Sequence, residues 1–147
     1  MCLIVDINVS HCVFLIEHDP DLCDVHAALF GPRKSNVRIS YGGKLLEEYA
    51  ESGELIRAVA ALDRAGRAQK VDDSAVNQEE VAVSAAGLCR SNDAHITALA
   101  RLGGARLLCS EDNELHADFT NRKLLHTPRG KVYQNRTHRP LFTRCCK

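Results

Sequence analysis

The run Cys2-Leu3-Ile4-Val5-Asp6-Ile7 constrains the fold more than any other stretch of the chain. A continuous apolar strand of this kind has no face to offer water. It needs cover on both sides, as the strands of a parallel sheet have. Asp6 breaks the run with a charge. A carboxylate in apolar surroundings is costly unless it is paired or bound to a cation. The run therefore predicts a buried first strand and marks Asp6 as a residue with a task.

The rest of the chain alternates short strand-like runs with helical patterns. Apolar residues from His11 to Ile16 continue as a helix. Asp19-Pro20-Asp21 opens the next one, over 21–29, and Gly31-Pro32 ends it. Val37-Arg38-Ile39-Ser40 alternates as a second strand. Leu45, Leu46 and Tyr49, then Leu55, Ile56, Val59 and Leu62, fall at helical spacing on either side of Gly53. Residues 66–80 are polar and predict a loop leading into a helix over 77–88. Asp93 precedes a helix over 94–102, closed by Gly103-Gly104. The run 105–109 predicts another strand, with a short helix or turn at 113–117. Val132-Tyr133 suits an edge strand, and the remainder reads as an extended basic tail. This alternation predicts an α/β protein, a three-layer α/β/α sandwich around a central, mostly parallel sheet.

A chain of 147 residues suits one domain. It can bury roughly 70 % of its unfolded surface, so it needs no disulfide or metal to fold. No apolar run approaches the ~20 residues of a membrane span, and the start has no basic segment typical of a secretory signal. Cys2, Cys12, Cys23, Cys89, Cys109, Cys145 and Cys146 are odd in number and contain no C-x-x-C pair. They predict reduced thiols in a cytoplasmic protein rather than a disulfide framework or a zinc knuckle.

The net charge of zero hides a division. All 19 acids lie at or before Asp118, while 119–147 holds eight basic residues and no acid. The sequence thus divides into a body over 1–118 and a basic C-terminal extension over 119–147. Arg122, Lys123, Arg129, Lys131, Arg136 and Arg139 are its candidate RNA contacts, with Tyr133 and Phe142 as rings on which bases could stack.

Ligands of parallel α/β sheets gather at the carboxyl ends of the strands. Asp6 ends the first strand, and Asp112 follows a later one. Asp93 opens a helix. Glu47 and Glu48 lie on the helix after the second strand. Each also has an ordinary structural use: Asp93 and Asp19 as helix caps, Asp112 in a turn, Glu47 and Glu48 on a solvated face. Together they place one acid from each of four elements near one sheet edge. Hard divalent cations such as Mg²⁺ and Mn²⁺ favour carboxylate oxygen and relieve repulsion between clustered acids. Such an ion can activate water and stabilise charge on a phosphodiester.

The segments Leu3-Ile4-Val5-Asp6-Ile7-Asn8, Leu46-Glu47-Glu48-Tyr49, Asn92-Asp93-Ala94-His95-Ile96-Thr97-Ala98-Leu99-Ala100 and Leu107-Leu108-Cys109-Ser110-Glu111-Asp112 occur in an order that resembles the PIN-domain family of small metal-dependent ribonucleases, including the VapC-type toxins. The resemblance spans 3–115 and fades afterwards. It implies Asp6, Glu48, Asp93 and Asp112 as metal and catalytic acids, with Glu48 preferred to Glu47 because it precedes Tyr49. Asn8 and Ser110 would support them, Ser110 by orienting Asp112. Glu114 and Asp118 are further candidate acids, and His95 and His116 lie near the set in sequence.

The resemblance implies a Mg²⁺- or Mn²⁺-dependent endoribonuclease, working as an antitoxin-partnered toxin or in RNA processing, and a homodimer. Two rivals use the same residues: a catalytically inactive RNA-binding module that relies on the basic extension, and a phosphoryl-accepting regulatory domain. The latter leaves Glu48 and Asp93 without a part.

Overall fold

A computed structural model describes residues 2–146. The elements, in chain order, are β1 (Leu3–Val5), α1 (Ile7–Phe14), α2 (Cys23–Phe30), β2 (Ile39–Tyr41), α3 (Gly43–Ala50), α4 (Gly53–Arg64), β3 (Ala68–Lys70), α5 (Asp73–Ala85), α6 (Ala94–Gly103), β4 (Leu107–Cys109), α7 (Asn113–Phe119), β5 (Lys131–Tyr133) and α8 (Pro140–Cys145). A 3₁₀ turn at Arg136–His138 links β5 to α8. The five strands form one parallel sheet in the order β3-β2-β1-β4-β5. Helices flank it, which makes the expected three-layer α/β/α sandwich.

Burial explains the central strands. Leu3, Ile4 and Val5 of β1 and Leu107, Leu108 and Cys109 of β4 are all inaccessible to solvent. The unbroken apolar runs at these positions suit strands covered on both faces. The register pairs Leu3 with Leu107, Ile4 with Leu108 and Val5 with Cys109. Asp6 and Ser110 are therefore the next residues out, side by side at the carboxyl edge. From β1 the chain steps outward through β2 and β3, then crosses back to β4 and β5. The gap between β1 and β4 is thus the switch point of the sheet, where such folds open a ligand crevice.

Three expectations change. Residues 66–80 were expected to lack a strand, yet they hold β3, and α5 starts four residues earlier than the expected helix. In β3 only Ala68 is buried, while Gln69 and Lys70 are exposed. An edge strand with so small an apolar face leaves almost no periodic signal. The second change concerns the cysteines: Cys2 and Cys146 form a disulfide, so they are not the reduced thiols expected. The other five are free.

The third concerns the segment after Asp118: the edge strand expected at Val132-Tyr133 is present as β5, but the remainder was expected to run out as an extended tail. It is folded onto the body. Leu124, Leu125, Tyr133 and Cys146 enter the common core, and β5 completes the sheet beside β4. No helix among the described residues is long and apolar enough to cross a membrane.

Candidate functional site

Four elements deliver acids to the β1–β4 crevice. Asp6 leaves β1 in extended conformation and caps α1, its Oδ1 accepting from the Ile7 N–H at 2.8 Å. Its Oδ2 accepts from the Ser110 hydroxyl at 2.7 Å. Only 4 % of Asp6 is exposed. Burial raises its pKa above the ordinary carboxylate value; the Ser110 and Ile7 hydrogen bonds pull it down, and the charge of Asp112 pushes it up again. The Tyr49 hydroxyl donates to the Val5 carbonyl beside it, tying α3 to the end of β1.

Ser110 is the junction of the site. Besides donating to Asp6, its oxygen accepts from the Asp112 N–H at 3.0 Å and from Asn8 Nδ2 at 3.4 Å. Asn8 Oδ1 in turn accepts from the Glu111 N–H at 3.3 Å. Both residues expected to support the acids are therefore bonded among them. Ser110 holds Asp112 by its backbone amide, while its hydroxyl proton goes to Asp6. Asp112 also keeps its ordinary role as the cap of α7, with Oδ1 accepting from Glu114 and Leu115 N–H groups.

Asp93 has no such use. It stands at the cap position of α6, yet its side chain makes no capping bond. Its carboxyl is held above the ordinary value by burial first, then by the charges of Asp6 and Asp112. Glu48 behaves alike: burial raises it, Lys44 opposes, and Asp6 and Asp93 add to the rise. The four acids thus act on one another. The choice between neighbours on α3 falls to Glu48, because Glu47 is exposed.

His95 lies between Glu48 and Asp93, with its side chain 1 % exposed. Its Nε2 is 3.4 Å from Glu48 Oε2, and its Nδ1 is 3.9 Å from Asp93 Oδ1. Neither ring nitrogen has a hydrogen-bond partner among the described residues, nor does Glu48 Oε2. Burial, helped by Lys44, pushes the imidazole pKa down to about 4. His116 adjoins the Asp6–Asp112 side of the site, its Nε2 meeting the Ser110 carbonyl at 2.5 Å.

Asp118 is not part of the ring of acids. It is 1 % exposed, and its carboxylate accepts from Arg90 N–H at 2.7 Å, Ser91 N–H at 2.9 Å and the Ser91 hydroxyl at 2.7 Å. The Ser91 oxygen then accepts from the Asp93 N–H at 3.2 Å. Asp118 is a clamp on the loop that carries Asp93. Glu114, the other further candidate, is exposed on α7.

Sequence reasoning missed Lys44 and underrated His95. Lys44 lies one helical turn before Glu48, the i,i+4 spacing at which opposite charges meet on a helix. That spacing was visible. For His95 the only available sign was its place two residues after Asp93.

The six basic candidates are all exposed but do not share one edge. Lys131 pairs with Leu107 at the start of β4, and Tyr133 with Cys109 at its end. Helix α7 carries the chain from the acid edge to the opposite one, and β5 brings it back. Arg122, Lys123, Arg129 and Lys131 therefore precede the carboxyl end of β5, toward the far edge. Arg136 and Arg139 follow β5 and lie against α2, where Arg139 shares a cavity with Asp24 and the loop after α2. Arg136 is 3.3 Å from Asp24. Tyr133 is fully buried and stacked on Phe142 at 5.0 Å, so these two rings cover each other.

The acid group suits a hard divalent cation in its chemistry. Its donors are carboxylates, burial first and then like charge raise the pKa values of Asp6, Glu48 and Asp93, and Glu48 Oε2 is buried without a partner. As they stand, no three His, Cys, Asp or Glu side chains among the described residues converge on one ion-binding point. No protein-family model, curated protein or solved structure matches the chain.

Proposed function

We propose that the protein is a metal-dependent endoribonuclease, with Asp6, Glu48, Asp93 and Asp112 holding Mg²⁺ or Mn²⁺. One observation carries the reading: Asp6 is a buried carboxylate at the switch point of a parallel sheet, within electrostatic reach of acids from three other elements. A purely structural carboxylate such as Asp118 is likewise satisfied by amides and a hydroxyl, but it stands apart from the other acids. Asp6 has a hydroxyl and a backbone amide, and it shares its surroundings with the like charges of Asp112, Glu48 and Asp93, which His116 partly opposes.

When bound, the cation would supply Lewis acidity and an activated water for phosphodiester hydrolysis. The chain's own residues would do the rest. Ser110 and the Ile7 amide fix the Asp6 oxygens. Asn8 and Ser110 fix the approach of Asp112. The Asp118–Ser91 clamp fixes Asp93. Lys44 is an exposed cation beside the acids and would draw the RNA backbone toward a group that otherwise repels it. The resemblance to PIN-domain ribonucleases supports the same reading. It also suggests a homodimer and an antitoxin partner in a cytoplasmic setting.

The second reading is an RNA-binding module without catalysis, favoured by the lack of convergence among the four acids. Incubation of purified protein with mixed RNAs separates the two. The nuclease reading expects cleavage with Mn²⁺ that disappears with EDTA and in an Asp6→Asn/Asp93→Asn double variant. Cleavage that survives both would sink it. Tight binding without cleavage under any metal would favour the module.

A further inference from the structure

A cavity of about 230 Å³ opens beside the acid group, between α1, the turn leading into α2 and the carboxyl ends of β4 and β5. Ser110 is in its wall, so it adjoins the Asp6–Asp112 cluster directly. It is smaller than the ~300–1,000 Å³ typical of pockets for drug-sized ligands, and suits one flat ring system.

The lining has a distinct chemistry. Asp19, Asp21 and Glu111 contribute carboxylates, and no Lys or Arg lines the cavity. Such a wall repels phosphate and attracts hydrogen-bond donors. Asp19 Oδ1 is occupied by the Asp21 and Leu22 amides. Asp21 and Glu111 are exposed. These acids do not form a cation site with three convergent ligands. Tyr133 also lines the cavity; it is wholly buried, and its hydroxyl has no hydrogen-bond partner. A buried hydroxyl left unpaired is costly, and a ligand atom able to accept from it would remove that cost.

We infer that this cavity is a subsite for an unpaired guanine base of the RNA, an inference that rests on the ribonuclease reading. Guanine presents two adjacent N–H donors, at N1 and the exocyclic N2, next to the acceptor O6. A carboxylate accepts both donors at once, and a tyrosine hydroxyl donates to the acceptor. Adenine and cytosine place an acceptor beside their amine, which a carboxylate repels. Uracil has no amine. A guanine held here sets its own phosphodiester over the neighbouring acids, which makes the cavity a determinant of where the strand is cut.

The test uses the full chain and short labelled single-stranded RNAs that differ at one base: guanine, inosine or adenine. Inosine removes only the exocyclic amine. Binding is read by fluorescence anisotropy in EDTA, and cleavage of the same strands in Mn²⁺. The guanine strand should bind about tenfold more tightly than the inosine strand. Asp21→Asn should reduce that difference, and Tyr133→Phe should weaken guanine binding while circular dichroism stays unchanged. Equal binding of all three strands to the native protein would overturn the subsite, and cleavage of all three at equal rates would do so while leaving the nuclease reading intact. A guanine preference in binding with no cleavage in any metal would support the subsite and count against the nuclease.

Discussion

Ser110 Oγ and Asp6 Oδ2 are 2.7 Å apart although 104 residues separate them in the chain. The bond joins the two strands that flank the switch point, and it is buried. Ser110→Ala leaves one oxygen of a buried carboxylate without its donor, which costs about 2 kcal/mol. Urea unfolding at neutral pH should report that loss, and cleavage should fall as well because Asp112 loses the same anchor. Unchanged stability would mean that Asp6 finds water in place of the hydroxyl.

His95 gives the fold a pH dependence of known sign. Its pKa is depressed in the folded chain, from 6.5 to about 4. The unfolded state therefore binds the proton more readily between these values. The stabilising contribution is full above about pH 6.5 and is lost as pH falls through the folded value; the total is roughly 3 kcal/mol. Asp6, Glu48 and Asp93 are shifted upward and act in the opposite sense. The measurement is thus the difference between native protein and His95→Gln in urea unfolding. The native advantage should shrink from pH 7 to pH 4.5.

The acids repel one another when no cation is present. Asp93→Asn removes one of these charges and should raise Tm by about 2–4 °C at pH 7 for each kcal/mol of repulsion relieved. A carboxyl with a raised folded pKa stabilises the fold when protonated and loses that contribution as pH rises through the raised value. The gap between variant and native protein should therefore close at low pH, near the ordinary aspartate value of 3.8. Adding Mn²⁺ should raise the Tm of the native protein and leave that of the Asp6→Asn/Asp93→Asn variant unchanged. Calorimetry with and without the ion checks both statements.

Asp118 is worth more to the fold than its exposed neighbours on α7. Asp118→Ala leaves two backbone amides and the Ser91 hydroxyl without their acceptor, at a cost of about 3 kcal/mol. Hydrogen exchange should show the loop at 90–93 losing protection before the sheet does. Glu114→Ala, on an exposed position of the same helix, should change stability by less than about 0.5 kcal/mol.

Much of the architecture was legible because strong local patterns coincided with burial. The apolar runs at 2–5 and 105–109 mark the central strands, and Gly103-Gly104 mark the end of α6, where Gly104 takes a left-handed backbone with φ 70°. Edge strand β3 left no trace, since two of its three residues face water. The placement of acids at strand ends and helix starts was also legible, because both follow from element boundaries. What each acid touches was not. Asp112 and Asp118 look alike in sequence, yet one faces the crevice and the other is spent on a loop.

The sequence by itself determined that β1 must be buried on both faces and that its Asp6 could not be an idle charge. Apolar continuity and the cost of desolvating a carboxylate depend only on local residues. Only the tertiary structure decided what surrounds Asp6. The parallel register set Ser110 beside it, and the Asp118 clamp positioned Asp93. The fold of 119–147 sent four of the six basic candidates toward the far edge. These are relations between residues distant in the chain, and they arise from packing, which no local pattern encodes.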